Sequence, residues 1–282
     1  MTNVPLISGL SELASSYDAF LLDAWGVLHD GRTLYPGTLD CLKNLKDAGK
    51  RSLVLSNSSR RNPFIEEHIL GLGIPQGYIE QAVTSGEITW NALKTGRFGS
   101  DCYYIGPVHN PGLTDDLDIN MVPNLAQASF VLATGVVNDS DPLSIYEETL
   151  VEAARFHLPL VCANPDVTVI HDGSRKVCAG AMAARYQQLG GAVHLFGKPH
   201  RPIYEASLTA LGNVPKDRVL AIGDSFHTDI SGAIAAGIDC VLIAGGIHYD
   251  DLGGTSPSDK QLQELCQLKK LYPTAALPLL QW

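Results

Sequence analysis

Basic residues are in short supply here: 20 Lys and Arg face 30 Asp and Glu, a formal charge of −10, and no run of five like charges occurs. A surface that grips a nucleic-acid backbone by counterion release therefore has no basis, and DNA and RNA are excluded as expected partners. Charge of either sign is also sparse, at 18% of residues against 45% hydrophobic, which excludes disordered, collagen-like and coiled-coil classes and leaves a chain that folds around a core. Long apolar runs are missing. No stretch reaches the 18 residues or so of a membrane span, and the first residues lack the basic segment of a signal peptide, so no membrane partner is expected. The six cysteines (Cys41, Cys102, Cys162, Cys178, Cys240, Cys266) form no CxxC pair. Neither a zinc site nor a secreted disulfide framework is indicated, and a reducing, cytoplasmic setting is expected, with the thiols acting as small buried groups.

What is present is length and a repeated grammar. At 282 residues the chain exceeds one domain of roughly 100–200 residues. Ala19 to Leu22 is a short apolar run ending in Asp23, as expected of a buried parallel strand. A helical pattern through Leu39, Leu42, Leu45 and Ala48 stops at Gly49, and Leu53 to Leu55 begins a second strand that ends in Ser56 and Asn57, a βαβ signature. Similar punctuation returns late in the chain: the apolar run Val219–Ile222, the turn Gly223-Asp224-Ser225, a helix over Thr228–Ala236 closed by Gly237, and the strand Cys240–Ile243. Between these blocks, residues 83–180 carry strands at Tyr103–Ile105, Phe130–Ala133 and Leu160–Ala163 and a helix from Pro142 to about His157, enough for an inserted domain. The last residues, LYPTAALPLLQW, read as an edge strand or a tail packed on the core.

Four polar clusters follow apolar runs: Asp23 in LLDAWGVLHDG, Ser56 in LVLSNSS, Lys198 in HLFGKP, and Asp224 with Asp229 in AIGDSFHTD. In an open parallel α/β sheet the ligand crevice lies outside the carboxyl ends of the strands, so clusters remote in sequence are expected to converge. Singly, each is the kind of residue that caps a helix or forms a turn. Together and in this order they resemble the four motifs of the haloacid dehalogenase superfamily of hydrolases. The LSN after the second strand, the ANPD at Ala163–Asp166, the CAGAMAARYQQLGG segment leading into FGKP, and GDSFHTDI are similar to class IIA, the subgroup of sugar-phosphate, nucleotide and pyridoxal-phosphate phosphatases. The resemblance implies an α/β fold: a Rossmann-like parallel-sheet core (1–82 and 181–282) with an inserted α/β cap of C2 type (83–180).

It further implies a Mg²⁺-dependent phosphatase acting on a small phosphorylated metabolite, with Asp23 as nucleophile. A phosphate dianion repels a carboxylate, so the attack needs a cation, and Asp23, Asp224, Asp229 and the Trp25 carbonyl offer hard oxygen ligands. Lys198 would keep Asp23 ionised and neutralise phosphoryl oxygens; Ser56 would donate to one of them, and Asn57 would add a further donor. Asn164 and Asp166 of the cap are the expected substrate contacts, and His109, His171, Arg175 and Arg185 are further candidates to contact a sugar or carboxylate group of the substrate. Subunit pairing through the cap is common among such relatives, so a homodimer is a further expectation.

One position departs from the pattern. Phosphatases of this superfamily carry a second Asp two residues after the nucleophile, as acid and then base; here Trp25 stands there, and indole cannot exchange a proton at neutral pH. His29, Asp30 and His227 are the nearest replacements. Two alternatives stay open at this point. An aromatic residue at that position is similar to the dehalogenases of the superfamily, which need no metal; or the chain binds a phosphometabolite with little turnover.

Overall fold

The computed structural model describes residues 3–107, 112–171 and 174–282. Its strands, in chain order, are β1 (Ala19–Leu22), β2 (Arg51–Ser56), β3 (Gln81–Thr84), β4 (Asp101–Ile105), β5 (Asn120–Met121), β6 (Phe130–Ala133) and β7 (Leu160–Cys162). There follow β8 (Thr168–His171), β9 (Ser174–Val177), β10 (Val193–Leu195), β11 (Val219–Gly223), β12 (Asp239–Ile243) and β13 (Ala275–Leu277). The chain divides into two compact units, Met1–Ser56 with Ile65–Val83 and Tyr204–Trp282, and Asn57–Phe64 with Thr84–Ile203.

The first unit is built on a parallel sheet of order β13-β12-β11-β1-β2-β3. All four residues of β1 are buried, which is why the strand reads as continuous apolar sequence without alternation. β1 pairs with β11 through Phe20 and Leu220 and with β2 through Leu22 and Val54. The chain runs outward from β1 to β2 and β3 on one side, and from β11 to β12 and β13 on the other. The order reverses between β1 and β11, the place where an open α/β sheet leaves a crevice at its carboxyl edge. The helix Thr38–Asp47 buries Thr38, Cys41, Leu42 and Leu45 against the core and leaves Leu39 42% exposed. A stripe read at spacings of three drifts around a helix of 3.6 residues per turn, so the inward face is turned one residue from the expected one. β13 is the edge strand, Leu280 is buried beyond it, and Trp282 packs on the same core.

The second unit holds a five-stranded parallel sheet of order β10-β7-β6-β4-β5 and an antiparallel hairpin, β8-β9. The fold class is thus the expected one, two α/β sheets, and the smaller sheet takes in Val193–Leu195 as well as strands before residue 180. The helix expected from Pro142 begins as a 3-10 turn, Leu143–Tyr146, before the α-helix Glu147–Arg155. Arg185 pairs with Glu147 and so ties that helix to Ala179–Gln188. All six cysteines are buried and unbridged. No helix among the described residues is long and apolar enough to cross a membrane.

Ser85, at the start of the helix Ser85–Lys94, is fully buried and its hydroxyl has no hydrogen-bond partner among the described residues. An unsatisfied buried hydroxyl costs about 1–3 kcal/mol relative to one in water. Ser85→Ala is therefore expected to leave stability unchanged or raise it by up to about 1 kcal/mol, as read by denaturant unfolding; a loss above that would mean that the hydroxyl has a partner.

Candidate active site

At the reversal between β1 and β11, the chain leaves both strands on carboxylates. The Asp23 N–H donates to the Ile222 carbonyl at 2.9 Å, so the β1–β11 ladder holds Asp23 to the last paired position. Asp224 follows β11 directly. Asp229 sits on a five-residue π-turn, Phe226–Ile230, in which the Asp229 and Ile230 N–H groups both donate to the Ser225 carbonyl. That wider turn carries Asp229 back toward Asp224, and its Oδ2 accepts the Ser225 N–H at 3.1 Å. One oxygen of each of Asp23, Asp224 and Asp229 lies within 4.8 Å of the others, and all three residues are buried.

Two glycines shape the Asp224 carboxylate. A Cβ on Gly26 or on Gly246 would stand 2.1 Å from Asp224 Oδ2, and Gly26 has φ +87°, which an L side chain rarely adopts. The Ile247 N–H donates to the same oxygen at 2.7 Å. Two unit charges 4.8 Å apart, the limit within which the carboxylate oxygens of Asp23, Asp224 and Asp229 lie, repel by roughly 3–4 kcal/mol at an effective dielectric near 20. Three buried carboxylates at this separation make a donor set of hard oxygens that fits a divalent cation such as Mg²⁺.

Trp25 is folded into its own loop. A Cβ on Gly31, at φ +101°, would lie 2.2 Å from the indole Cη2, so only glycine lets the chain pass under the ring. The indole also meets the His29 ring edge-on at 5.7 Å. His29 is buried, and its Nδ1 accepts the Gly31 N–H at 2.9 Å, which places its proton on Nε2. Burial, reinforced by His68, pushes the imidazole down to about 4. His29 is thus neutral at pH 7, a poor acid. The Asp30 carboxylate is held below its usual range by the N–H groups of Thr33 and Arg32, and so is ionised. His227 is exposed on the π-turn.

The second unit gathers another set. The Asn57 carboxamide donates through Nδ2 to Asp166 Oδ1 at 2.8 Å and to the Lys198 carbonyl at 3.0 Å, while its Oδ1 accepts the Lys198 N–H at 2.6 Å. The Asn164 side chain turns back to accept the Asp166 N–H at 3.1 Å, an Asx turn that shapes the Asn164–Asp166 segment. Arg175 lies on β9 and His171 on β8, and His109 is outside the described residues.

Two family models match the chain: one described as haloacid dehalogenase-like hydrolase over residues 20–119, and a HAD-hydrolase-like model over 195–267. A solved hydrolase of the haloacid dehalogenase-like family from Brucella suis 1330 superposes with a TM-score of 0.86 at 34% identity, covering 98% of this chain and all of that one. The chain belongs to the haloacid dehalogenase-like hydrolases. Among curated proteins it is 24% identical over 236 residues to a 5'-nucleotidase of Bacillus subtilis (82% of this chain, 89% of that one). It is also 24% identical over 239 residues to an acid sugar phosphatase of Staphylococcus epidermidis (84% and 90%). Homology to phosphatases thus extends over most of its length.

Several residues that shape this haloacid dehalogenase-like site carry no motif of their own. His248 accepts the Phe226 N–H on Nε2 at 3.4 Å, and its Nδ1 pairs with Asp251 at 2.8 Å, so the dyad braces the entry to the π-turn. The hydroxyl of Tyr204 donates to the carbonyl of Asp229 at 3.2 Å. A His and an Asp three apart after an apolar strand is the one signal that points to the dyad in sequence, and Gly246 has none, since its role depends on a carboxylate 22 residues away.

Proposed function

We propose that this protein is a Mg²⁺-dependent phosphatase of small phosphate monoesters, sugar phosphates or similar metabolites, working through an aspartyl-phosphate on Asp23. The observation that carries the reading is the buried carboxylate triad at the sheet's reversal point. Asp23, Asp224, Asp229 and the Trp25 carbonyl would hold the ion. Bound there, it would supply positive charge that lets a carboxylate approach a phosphate dianion.

An Asp23 oxygen attacks phosphorus, and the P–O bond to the leaving group breaks with its electron pair on the departing oxygen. Water then attacks the acyl phosphate, releasing phosphate and restoring the carboxylate. Lys198 neutralises phosphoryl oxygens and keeps Asp23 ionised; the Ser56 hydroxyl donates to the developing charge. Asn164 and Asp166 belong to the insert, residues 83–180, which would choose among substrates. Trp25 stands in place of the residue that would protonate the leaving alkoxide, so esters with good leaving groups are turned over fastest.

The direct test is hydrolysis of an aryl phosphate and of a panel of sugar phosphates with Mg²⁺ and with chelator. Turnover that survives chelation overturns the reading. A readout independent of turnover is thermal unfolding. Mg²⁺ at a hundred times its dissociation constant is expected to stabilise the native state by about 2.7 kcal/mol, and Asp224→Asn is expected to abolish most of that gain. Gly246→Ala pushes on the Asp224 carboxylate and is expected to weaken Mg²⁺ binding roughly 10- to 100-fold, measured by calorimetric titration, in a protein that still folds.

A further inference from the structure

We propose that Asn57 is a positioning residue: its carboxamide sets the main chain of Lys198 and does not bind the phosphoryl group. The inference rests on the phosphatase reading above for the role of Lys198, but its geometry lies wholly within the second unit. An asparagine side chain offers two N–H donors and one carbonyl oxygen. In Asn57, Nδ2 donates to Asp166 Oδ1 and to the Lys198 carbonyl, and Oδ1 accepts from the Lys198 N–H. Both donors are engaged. The side chain pairs with the N–H and the carbonyl of one residue, as a neighbouring strand would, and fixes the orientation of that residue's backbone.

The surroundings are cut to fit this arrangement. Asn57 and Lys198 are both buried. A Cβ on Gly197 would stand 2.3 Å from Asn57 Oδ1 and 2.8 Å from Pro165 Cδ, so the absence of a side chain there lets three segments meet. One is the loop that leaves β2 through Asn57. The second is Gly197–Lys198. The third is the Asn164–Asp166 turn, whose last residue is held again by the Gly180 N–H donating to the Asp166 carbonyl at 3.0 Å. A Cβ on Gly180 would lie 2.1 Å from the Pro165 carbonyl oxygen, so this contact too depends on a missing side chain. A lysine whose ammonium must meet a phosphoryl oxygen gains from a backbone that cannot rotate, because a displacement on the order of 1 Å costs about 10²-fold in rate.

The experiment is a double-mutant cycle on the full chain with an aryl phosphate as substrate, using Asn57→Ala, Lys198→Ala and the pair. Asn57→Ala is expected to lower kcat roughly 10- to 100-fold with KM changed less than about threefold. In the Lys198→Ala background the same substitution is expected to cost less than about threefold, because a residue that acts through Lys198 has nothing left to act on. Factors that multiply, together with a matching loss of affinity for inorganic phosphate in both backgrounds, would show direct contact and overturn the proposal. Asn57→Asp, nearly the same shape, keeps the acceptor for the Lys198 N–H but loses both donors. It sets a carboxylate oxygen against Asp166 Oδ1 and the Lys198 carbonyl, so it is expected to lower kcat at least as far as Asn57→Ala, and it serves as the probe if the alanine variant does not fold.

Hydrogen exchange separates this proposal from the phosphatase reading. Exchange at the Lys198 amide is expected to quicken in Asn57→Ala with the rest of the second unit unchanged, whether or not the protein turns over any ester. A wild type inert toward every phosphate ester defeats the phosphatase reading. An unchanged Lys198 amide defeats the positioning role.

Discussion

Asp23→Asn is expected to lower phosphate-ester turnover by a factor on the order of 10⁴ or more while leaving the fold intact. The substitution keeps the size of the side chain and the main-chain bond from Asp23 to Ile222, so the β1–β11 ladder is untouched. What it removes is the nucleophilic oxygen. An amide cannot form the acyl phosphate, and it contributes no negative charge to a cation. In chelator, thermal stability is expected to rise above that of the wild type, because one of three mutually repelling buried carboxylates is gone; in Mg²⁺ the gain from the ion is expected to shrink. The pairing of lost activity with increased stability without metal is the signature to look for. A variant that retains more than about a hundredth of wild-type turnover places the nucleophile elsewhere.

The second large effect is expected at Trp25. Trp25→Asp should raise kcat on sugar phosphates by roughly 10²- to 10⁴-fold, the usual contribution of a positioned acid, and change the rate on an aryl phosphate little, since a phenolate leaves without help. The neighbours support this asymmetry: His29 is neutral with its Nδ1 occupied and Asp30 is ionised, so neither supplies the proton. The substitution also empties the space between Gly31 and His29, and a stability loss of about 1–3 kcal/mol is expected from unfolding curves. Sugar-phosphate rates that do not move would show that proton transfer is not what limits the wild type. Halide release from a 2-haloacid in the absence of metal would favour the C–halogen reading, and tight phosphometabolite binding without turnover the binding-protein reading.

Much of this architecture was legible in the chain, and the reasons differ by element. β1 and β6 were readable because a strand buried on both faces is a plain apolar run, and the observed β6 coincides with the expected Phe130–Ala133. Asp23 and Asp224 were readable as a pair because a parallel sheet exposes its strand ends on one edge. The hairpin β8-β9 was missed: SRKV carries no apolar alternation, and its burial pattern shows why, with two exposed and two half-buried positions. The helix Asp259–Lys269, opened by a capping box of Ser258 and Gln261, is not among the elements expected from the sequence: only Leu262, Leu265 and Cys266 of it are buried, a short apolar face. Asn57 was legible as a polar residue at a strand end but not as a clip, since its two partners lie 109 and 141 residues further along the chain. Gly31, Gly197 and Gly246 are silent in sequence for a related reason: each is needed for what approaches it in space.

The pairing of β1 with β11 sets an order of assembly. β1 stands at the centre of its sheet, yet one of its two neighbours is made about 200 residues later. At roughly 5–20 residues per second of synthesis, the first 56 residues wait on the order of 10–40 s for that partner, while the second unit, contiguous apart from residues 57–64, is completed in between. The three carboxylates meet only when the last third of the chain is in place. A nascent or truncated chain that ends before β11 therefore carries Asp23 without Asp224 and Asp229, and an apolar sheet with one edge of its central strand unpaired. Incomplete copies are both chemically silent and, through the bare edge of β1, prone to aggregate.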